Sequence, residues 1–140
     1  PVFLIRGLSK ALQLNNEEHE INKNYLLDLK REFLENLKHL TSNIRPNFNL
    51  NNGHPGTLSI YFENVDADII CSRLANKVAV SAAAACSGSK YEFSHVLKNM
   101  GLSEKVAKST IRLCFSKTNS LNDAKYASEA IFNEYNLVKV

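Results

Sequence analysis

The side chains that could do chemistry in this sequence are few, and they stand well apart. Cys86 lies in Ser81-Ala-Ala-Ala-Ala-Cys86-Ser-Gly-Ser89, a run of small residues. Such a stretch anchors nothing by packing, and Gly88 adds backbone freedom. A thiol placed there is expected to be open to solvent, and its thiolate is a nucleophile able to reach a substrate. The plainer reading is an incidental thiol in a turn. Lys77, Lys90 and Lys98 are near it in sequence and could favour the thiolate, although surface lysines are the default. Arg112 stands in Thr110-Ile-Arg-Leu-Cys-Phe-Ser116, on the face opposite Ile111 and Leu113. A fixed guanidinium there suits a carboxylate held by two parallel hydrogen bonds. An ion pair with a neighbouring acid is the commoner outcome.

Other candidates carry less. Cys71 falls in a helical pattern near its apolar stripe and Cys114 on a strand, where thiols are mostly small packing residues. His54 and His95 have no visible acid or serine partner. Cys71, Cys86, Cys114, His54 and His95 do not have the spacing of a metal site. No glycine-rich phosphate loop, no Ser–His–Asp order and no paired catalytic carboxylates can be picked out. The odd cysteine count of 3, without a C-x-x-C pair, argues against a disulfide framework and for a reducing cytoplasm.

These residues need a frame, and 140 residues suffice for one domain with a core. The composition is that of an ordinary globular chain, 44% hydrophobic and 22% charged. A formal net charge of +3, dispersed along the chain, gives no nucleic-acid footprint, so no DNA partner is expected. No apolar run approaches the ~18–20 residues that cross a bilayer, and there is no signal-peptide pattern. The chain starts at Pro1 and not Met, which suggests a piece of a longer protein.

Hydrophobic spacing supplies the elements. Val2-Phe-Leu-Ile5 with Leu8, Ala11, Leu12 and Leu14 reads as a short buried helix opened by proline. Asn15 and Asn16 before Glu17 and Glu18 read as a new helix start. Leu26, Leu29, Phe33, Leu37 and Leu40 then mark a helical stripe, with Lys23, Lys30, Glu35 and Lys38 off it. Residues 41–55 read as a loop. Thr57 to Glu63 alternates as a half-buried strand. Asp66 or Asn64 caps a helix carrying Ile69, Ile70 and Leu74, and Val78-Ala-Val80 reads as the next strand. Phe93, Val96, Leu97 and Met100 mark a helix stopped by Gly101. Ser103 starts a helical turn, Thr110 to Ser116 is a strand, and Ser120-x-x-Asp123 resembles a capping box for the last helix. The expected fold is α+β: a small antiparallel or mixed sheet of about three strands packed with helices.

Four stretches together resemble one family. His54-Pro-Gly-Thr-Leu-Ser-Ile-Tyr-Phe62 is similar to the "PGTLNISF" strand of NifS/IscS-type cysteine desulfurases. Val78-Ala-Val-Ser-Ala-Ala-Ala-Ala-Cys-Ser87 resembles their "AVSSGSACSS" loop. His95-Val-Leu-Lys-Asn-Met-Gly-Leu102 resembles "YVLRALGL", and Ser109-Thr-Ile-Arg112 matches "SSIR". The motifs fall in family order, and Gly7-Leu-Ser-Lys-Ala-Leu12 is similar to the helix joining the family's two domains.

The resemblance implies the small domain of a fold type I, aminotransferase class V enzyme. Residues 1–14 would be the linking helix from a missing large domain, and 15–140 the small C-terminal domain with a catalytic loop at 81–90. It implies a homodimer that uses pyridoxal phosphate to convert L-cysteine to L-alanine. Cys86 would attack the substrate sulfur and keep it as a persulfide for an acceptor such as an iron–sulfur scaffold protein. Arg112 would hold the substrate carboxylate. The Schiff-base lysine belongs to the large domain, so neither bound cofactor nor turnover is expected of this chain alone. The loop departs from the family, reading Ala-Ala-Ala where relatives carry Ser-Gly-Ser. Two alternatives remain open: a free-standing, non-catalytic sulfur-carrier or interaction domain, and a relative that acts on selenocysteine or donates sulfur for tRNA thiolation.

Overall fold

The computed structural model describes residues 1–49, 53–82 and 94–139. The first helix, α1 (Val2–Leu40), is a single element of 39 residues. The helix start expected at Asn15 does not occur. Asparagine is a mediocre helix former but no breaker, and Gln13 Nε2 donates to Glu17 Oε1 at 2.7 Å across that point. With no Gly or Pro to turn the chain, the backbone bonds continue.

Only the second half of α1 is covered. Leu26, Leu29, Lys30, Phe33 and Leu37 are buried. Lys30, expected off the stripe, is 2% exposed. Its position four residues after Leu26 and three before Phe33 places it on the buried face. Val2, Phe3, Leu4, Ile5, Leu8 and Leu12 are exposed, contrary to the expected buried helix.

Among the described residues four strands form an antiparallel sheet in the order β1-β2-β4-β3: β1 (Ile44–Pro46), β2 (Thr57–Phe62), β3 (Ser81–Ala82) and β4 (Thr110–Cys114). β1 adds an edge strand inside the stretch read as a loop, with Ile44 opposite Phe62 and Pro46 opposite Ile60. Proline is tolerated at such an edge. Strand β3 also departs from expectation. Val78 and Val80 pack against the core without joining the ladder, and pairing starts only at Ser81. Burial of a side chain does not require that its backbone be laddered.

The other helices among the described residues are α2 (Ala67–Leu74), α3 (His95–Asn99), α4 (Glu104–Lys108) and α5 (Leu121–Asn136). Each starts at a residue whose side-chain oxygen accepts from the first turn: Asp66, Ser94, Ser103 and Ser120. The Ser120/Asp123 capping box is complete. Gly101, at φ +85°, follows α3 in the left-handed conformation of a helix stop.

One face of the sheet carries Leu58, Ile60, Phe62, Ile111 and Leu113, all buried. They join one core with Phe33 and Leu37 of α1, Ile70 and Leu74 of α2, and Ala127 and Ile131 of α5. Phe33 meets Phe115 edge-on at 5.8 Å between centroids. Glu134 of α5, with a side chain 6% exposed, accepts from Arg73 Nε at 2.6 Å and pairs with Lys77. Helices α1, α2 and α5 thus cover one side of the sheet, while α3 and α4 lie toward the other, where Tyr61 and Thr110 are buried and Arg112 and Cys114 are exposed.

Candidate functional site

Alternation along β2 and β4 sends Thr57, Ser59 and Tyr61, and Thr110, Arg112 and Cys114, to the face opposite the core; Tyr61 and Thr110 are buried there, while Arg112 and Cys114 are exposed. The strand register sets Arg112 between two serines, Ser59 of β2 and Ser81 of β3. Arg112 is exposed, and among the described residues no hydrogen bond or ion pair uses its guanidinium. The commoner outcome, an ion pair with a neighbouring acid, is therefore absent among them. Arg45 on β1 does have company: its guanidinium lies 5.0 Å from the centroid of the Tyr61 ring.

Above this face lies a cavity of about 520 Å³. Ser59, Ser81, Thr110 and Arg112 form part of its sheet side, with Leu97 of α3 and Met100, just past that helix, among its apolar lining. Lys30 and His54 also line it. Lys30 Nζ donates to the His54 carbonyl at 3.5 Å, and burial pushes the lysine pKa down.

The polar floor is tied together by Asn47. Its backbone N–H donates to the Ser59 carbonyl at 2.9 Å. Its side-chain Nδ2 lies 2.9 Å from Ser59 Oγ and 3.0 Å from Thr110 Oγ1. Thr110 Oγ1 in turn donates to the Val106 carbonyl at 2.7 Å. Sequence reasoning passed over Ser59, Asn47 and Lys30. Ser59 was within reach, since its parity in the strand puts it on the face of Arg112. Asn47 sits in a stretch of similar residues, and nothing local sets it apart.

The other candidates separate. Cys86, Gly88 and Lys90 lie outside the described residues. Cys71 is half-buried, and burial, followed by the charges of Asp68 and Asp66, pushes its pKa up to about 11. Cys114 is exposed on the face of Arg112, with Sγ 3.1 Å from Thr57 Oγ1. His54 is a turn residue: its Nδ1 accepts from the Gly56 N–H at 3.2 Å and contacts Thr57 Oγ1 at 3.3 Å. His95 opens α3 and lines the cavity. Lys77 is engaged with Glu134 at the α2–α5 contact. Among the described residues no group of three or more His, Cys, Asp or Glu is placed to hold a metal, and no helix is long and apolar enough to cross a membrane.

No protein-family model matches the chain. A Cysteine desulfurase IscS of Buchnera aphidicola subsp. Baizongia pistaciae is 27% identical over 139 residues, 99% of this chain and 34% of the relative. Among solved structures, a NifS-like protein superposes with a TM-score of 0.78 at 22% identity, over 94% of this chain and 33% of that one. The NifS-like protein from Rickettsia africae ESF-5 gives a TM-score of 0.70 at 30% identity, over 88% of this chain and 31% of that one. The chain spans about a third of the length of the curated relatives it matches. In sequence and in fold it is a relative of the NifS/IscS-type cysteine desulfurases, matching about a third of their length.

Proposed function

We propose that the chain acts as the small C-terminal domain of a cysteine desulfurase, with Arg112 as the anchor of the substrate carboxylate and Cys86 as the sulfur acceptor. The observation that carries the reading is Arg112 itself. A strand holds it over a cavity, flanked by two serines, and none of the hydrogen bonds or ion pairs among the described residues uses it. A rigid cation held that way suits a small carboxylate whose other end must stay free to react.

In the reaction, the Cys86 thiolate attacks the sulfur of L-cysteine. A sulfur–sulfur bond forms as the carbon–sulfur bond breaks. The carbon keeps the electron pair, takes a proton and leaves as L-alanine, and the enzyme keeps a persulfide. That sulfur passes by exchange to an acceptor thiol, for example on an iron–sulfur scaffold protein.

The described residues do not offer a seat for pyridoxal phosphate. Among the described residues that line the cavity there is no Asp or Glu to face a pyridine nitrogen, and Lys30 donates to the His54 carbonyl. The cofactor would act from a large domain, entered through residues 1–14, in a homodimer. The exposed apolar side chains of Val2 to Leu12 support a covering surface there.

The test is L-alanine release with trapping of the persulfide. It is run on the 140-residue chain and on a chimaera joining it to the remaining two-thirds of a Cysteine desulfurase IscS. The expected result is no turnover by the chain alone and a persulfide on Cys86 in the chimaera. A persulfide on Cys71 or Cys114 instead would overturn the assignment.

A further inference from the structure

We infer that the Ser59 hydroxyl is a second donor to the carboxylate held by Arg112, and that Asn47 sets it in that role. The inference rests on the reading of Arg112 as a carboxylate anchor and adds to it the residues that fix which ligands are accepted.

The argument follows hydrogens. Thr110 has one hydroxyl hydrogen, and its oxygen lies 2.7 Å from the Val106 carbonyl, which can only accept. That hydrogen is therefore used. Toward Asn47, at 3.0 Å, Thr110 Oγ1 must be the acceptor, so the amide group facing it is the NH₂. The same nitrogen lies 2.9 Å from Ser59 Oγ and directs its second hydrogen there. Ser59 Oγ is thus an acceptor in that contact, and its own hydrogen is left over. It cannot go back to the Asn47 nitrogen, which is a donor. Nor can it go to the guanidinium of Arg112, which has donors only. Among the described residues no acceptor takes it.

The ladder places Ser59 directly across from Arg112, and both line the cavity. A hydroxyl hydrogen and a guanidinium fork side by side call for one group that brings several lone pairs. A carboxylate does so, accepting from both residues, and bonds to a charged acceptor are the strong ones. An amine or an alcohol in its place leaves donors unmet. The hydroxyl of Ser81, on the other flank of Arg112, makes no hydrogen bond among the described residues and is not aimed in the same way. Ser59 is therefore a binding residue that selects small carboxylates such as α-amino acids, and Asn47 is a positioning residue that acts through it.

The test follows the backbone amide signals of residues 110–114 by NMR while L-cysteine is titrated into the 140-residue chain. Cysteamine, which lacks the carboxylate, serves as the control. The unsubstituted chain is expected to shift saturably with L-cysteine and not with cysteamine. Ser59→Ala should weaken binding by about tenfold or more, the range for a hydrogen bond to a charged group, and Ser59→Thr should restore it. Asn47→Asp should weaken it at least as much as Ser59→Ala, because a carboxylate at that position takes the Ser59 hydrogen for itself. Asn47→Ala should weaken it less, since the hydroxyl can still turn to the ligand. A loss of packing at residue 47 would not put Asp below Ala in this order.

Unchanged affinity in Ser59→Ala, with binding abolished in Arg112→Gln, overturns the role of Ser59 and leaves the anchor standing. Unchanged affinity in Arg112→Gln overturns the anchor and the Ser59 inference with it. So does the absence of any saturable shift in the unsubstituted chain.

Discussion

Arg112 is the residue whose identity should matter most to binding and least to folding. It is exposed, and none of the hydrogen bonds or ion pairs among the described residues uses its guanidinium. Arg112→Lys retains the charge but loses the planar fork. It should weaken L-cysteine binding by about ten- to a hundredfold, measured by titration, while the melting temperature stays within a few degrees. The thiols make a second prediction at this scale. With its pKa pushed up to about 11, Cys71 carries little thiolate at neutral pH. Alkylation followed by mass spectrometry should find Cys71 labelled more slowly than the exposed Cys114. Gly56 gives a third. A Cβ there would lie 2.5 Å from the Phe115 carbonyl oxygen and 3.2 Å from Leu26 Cδ2. The same two backbones are joined by the Phe115 N–H donating to the Gly56 carbonyl at 2.9 Å, so neither can move freely. Gly56→Ala should cost about 1–3 kcal/mol, the usual range for overpacking, read from a denaturant melt.

At the scale of elements, α5 is the helix best explained by its own sequence. Its capping box supplies acceptors for two backbone N–H groups at its start, those of Ser120 and Asp123, and its stripe of Ala124, Ala127, Ile131 and Tyr135 meets the core. Its contact with α2 depends on charge. Hydrogen bonding from Lys77, followed by that from Arg73, holds the Glu134 carboxyl below the usual carboxylate range against the cost of burial. A carboxyl with a depressed folded pKa contributes stability that is fully present above its unfolded pKa and is lost as pH falls through the folded one. The stability gap between the unsubstituted chain and Glu134→Gln should therefore be widest at neutral pH and close as pH drops below the usual glutamate range. Urea melts at a series of pH values would check this, and a gap that widens on acidification would refute the pairing. The long alternations at Thr57 and Thr110 and the stripe from Leu26 to Leu37 were legible because burial on one face writes a period into the sequence. β1 and β3 were not. Strands of 3 and 2 residues are too short to show a period, and they exist because a longer partner offers free backbone groups.

For the molecule as a whole, the open question concerns surface and not core. The first part of α1 exposes Val2 at 71%, Phe3 at 74% and Ile5 at 67%. A row of large apolar side chains of this kind is uncommon on a monomer that stays alone. The isolated chain should self-associate in sedimentation measurements. A Phe3→Glu, Ile5→Glu double variant should sediment as a smaller species with little change in stability, because exposed positions shift it by only about 0.5 kcal/mol. An unsubstituted chain that is monomeric at high concentration would count against a covering surface.

By itself the sequence determined the α+β class, the strand carrying Arg112, the Ser120–Asp123 capping box and the family resemblance. Each of these is written in neighbouring residues, through periodicity, capping chemistry or contiguous motifs. Only the tertiary structure decided that α1 runs unbroken past Asn15, that Lys30 is buried, and that Arg112 lies between Ser59 and Ser81. The physical reason is sequence distance. Ser59 and Arg112, or Asn47 and Thr110, are strangers along the chain, and their meeting is set by strand register. Register depends on the whole hydrophobic face choosing one alignment, which no local window of residues contains.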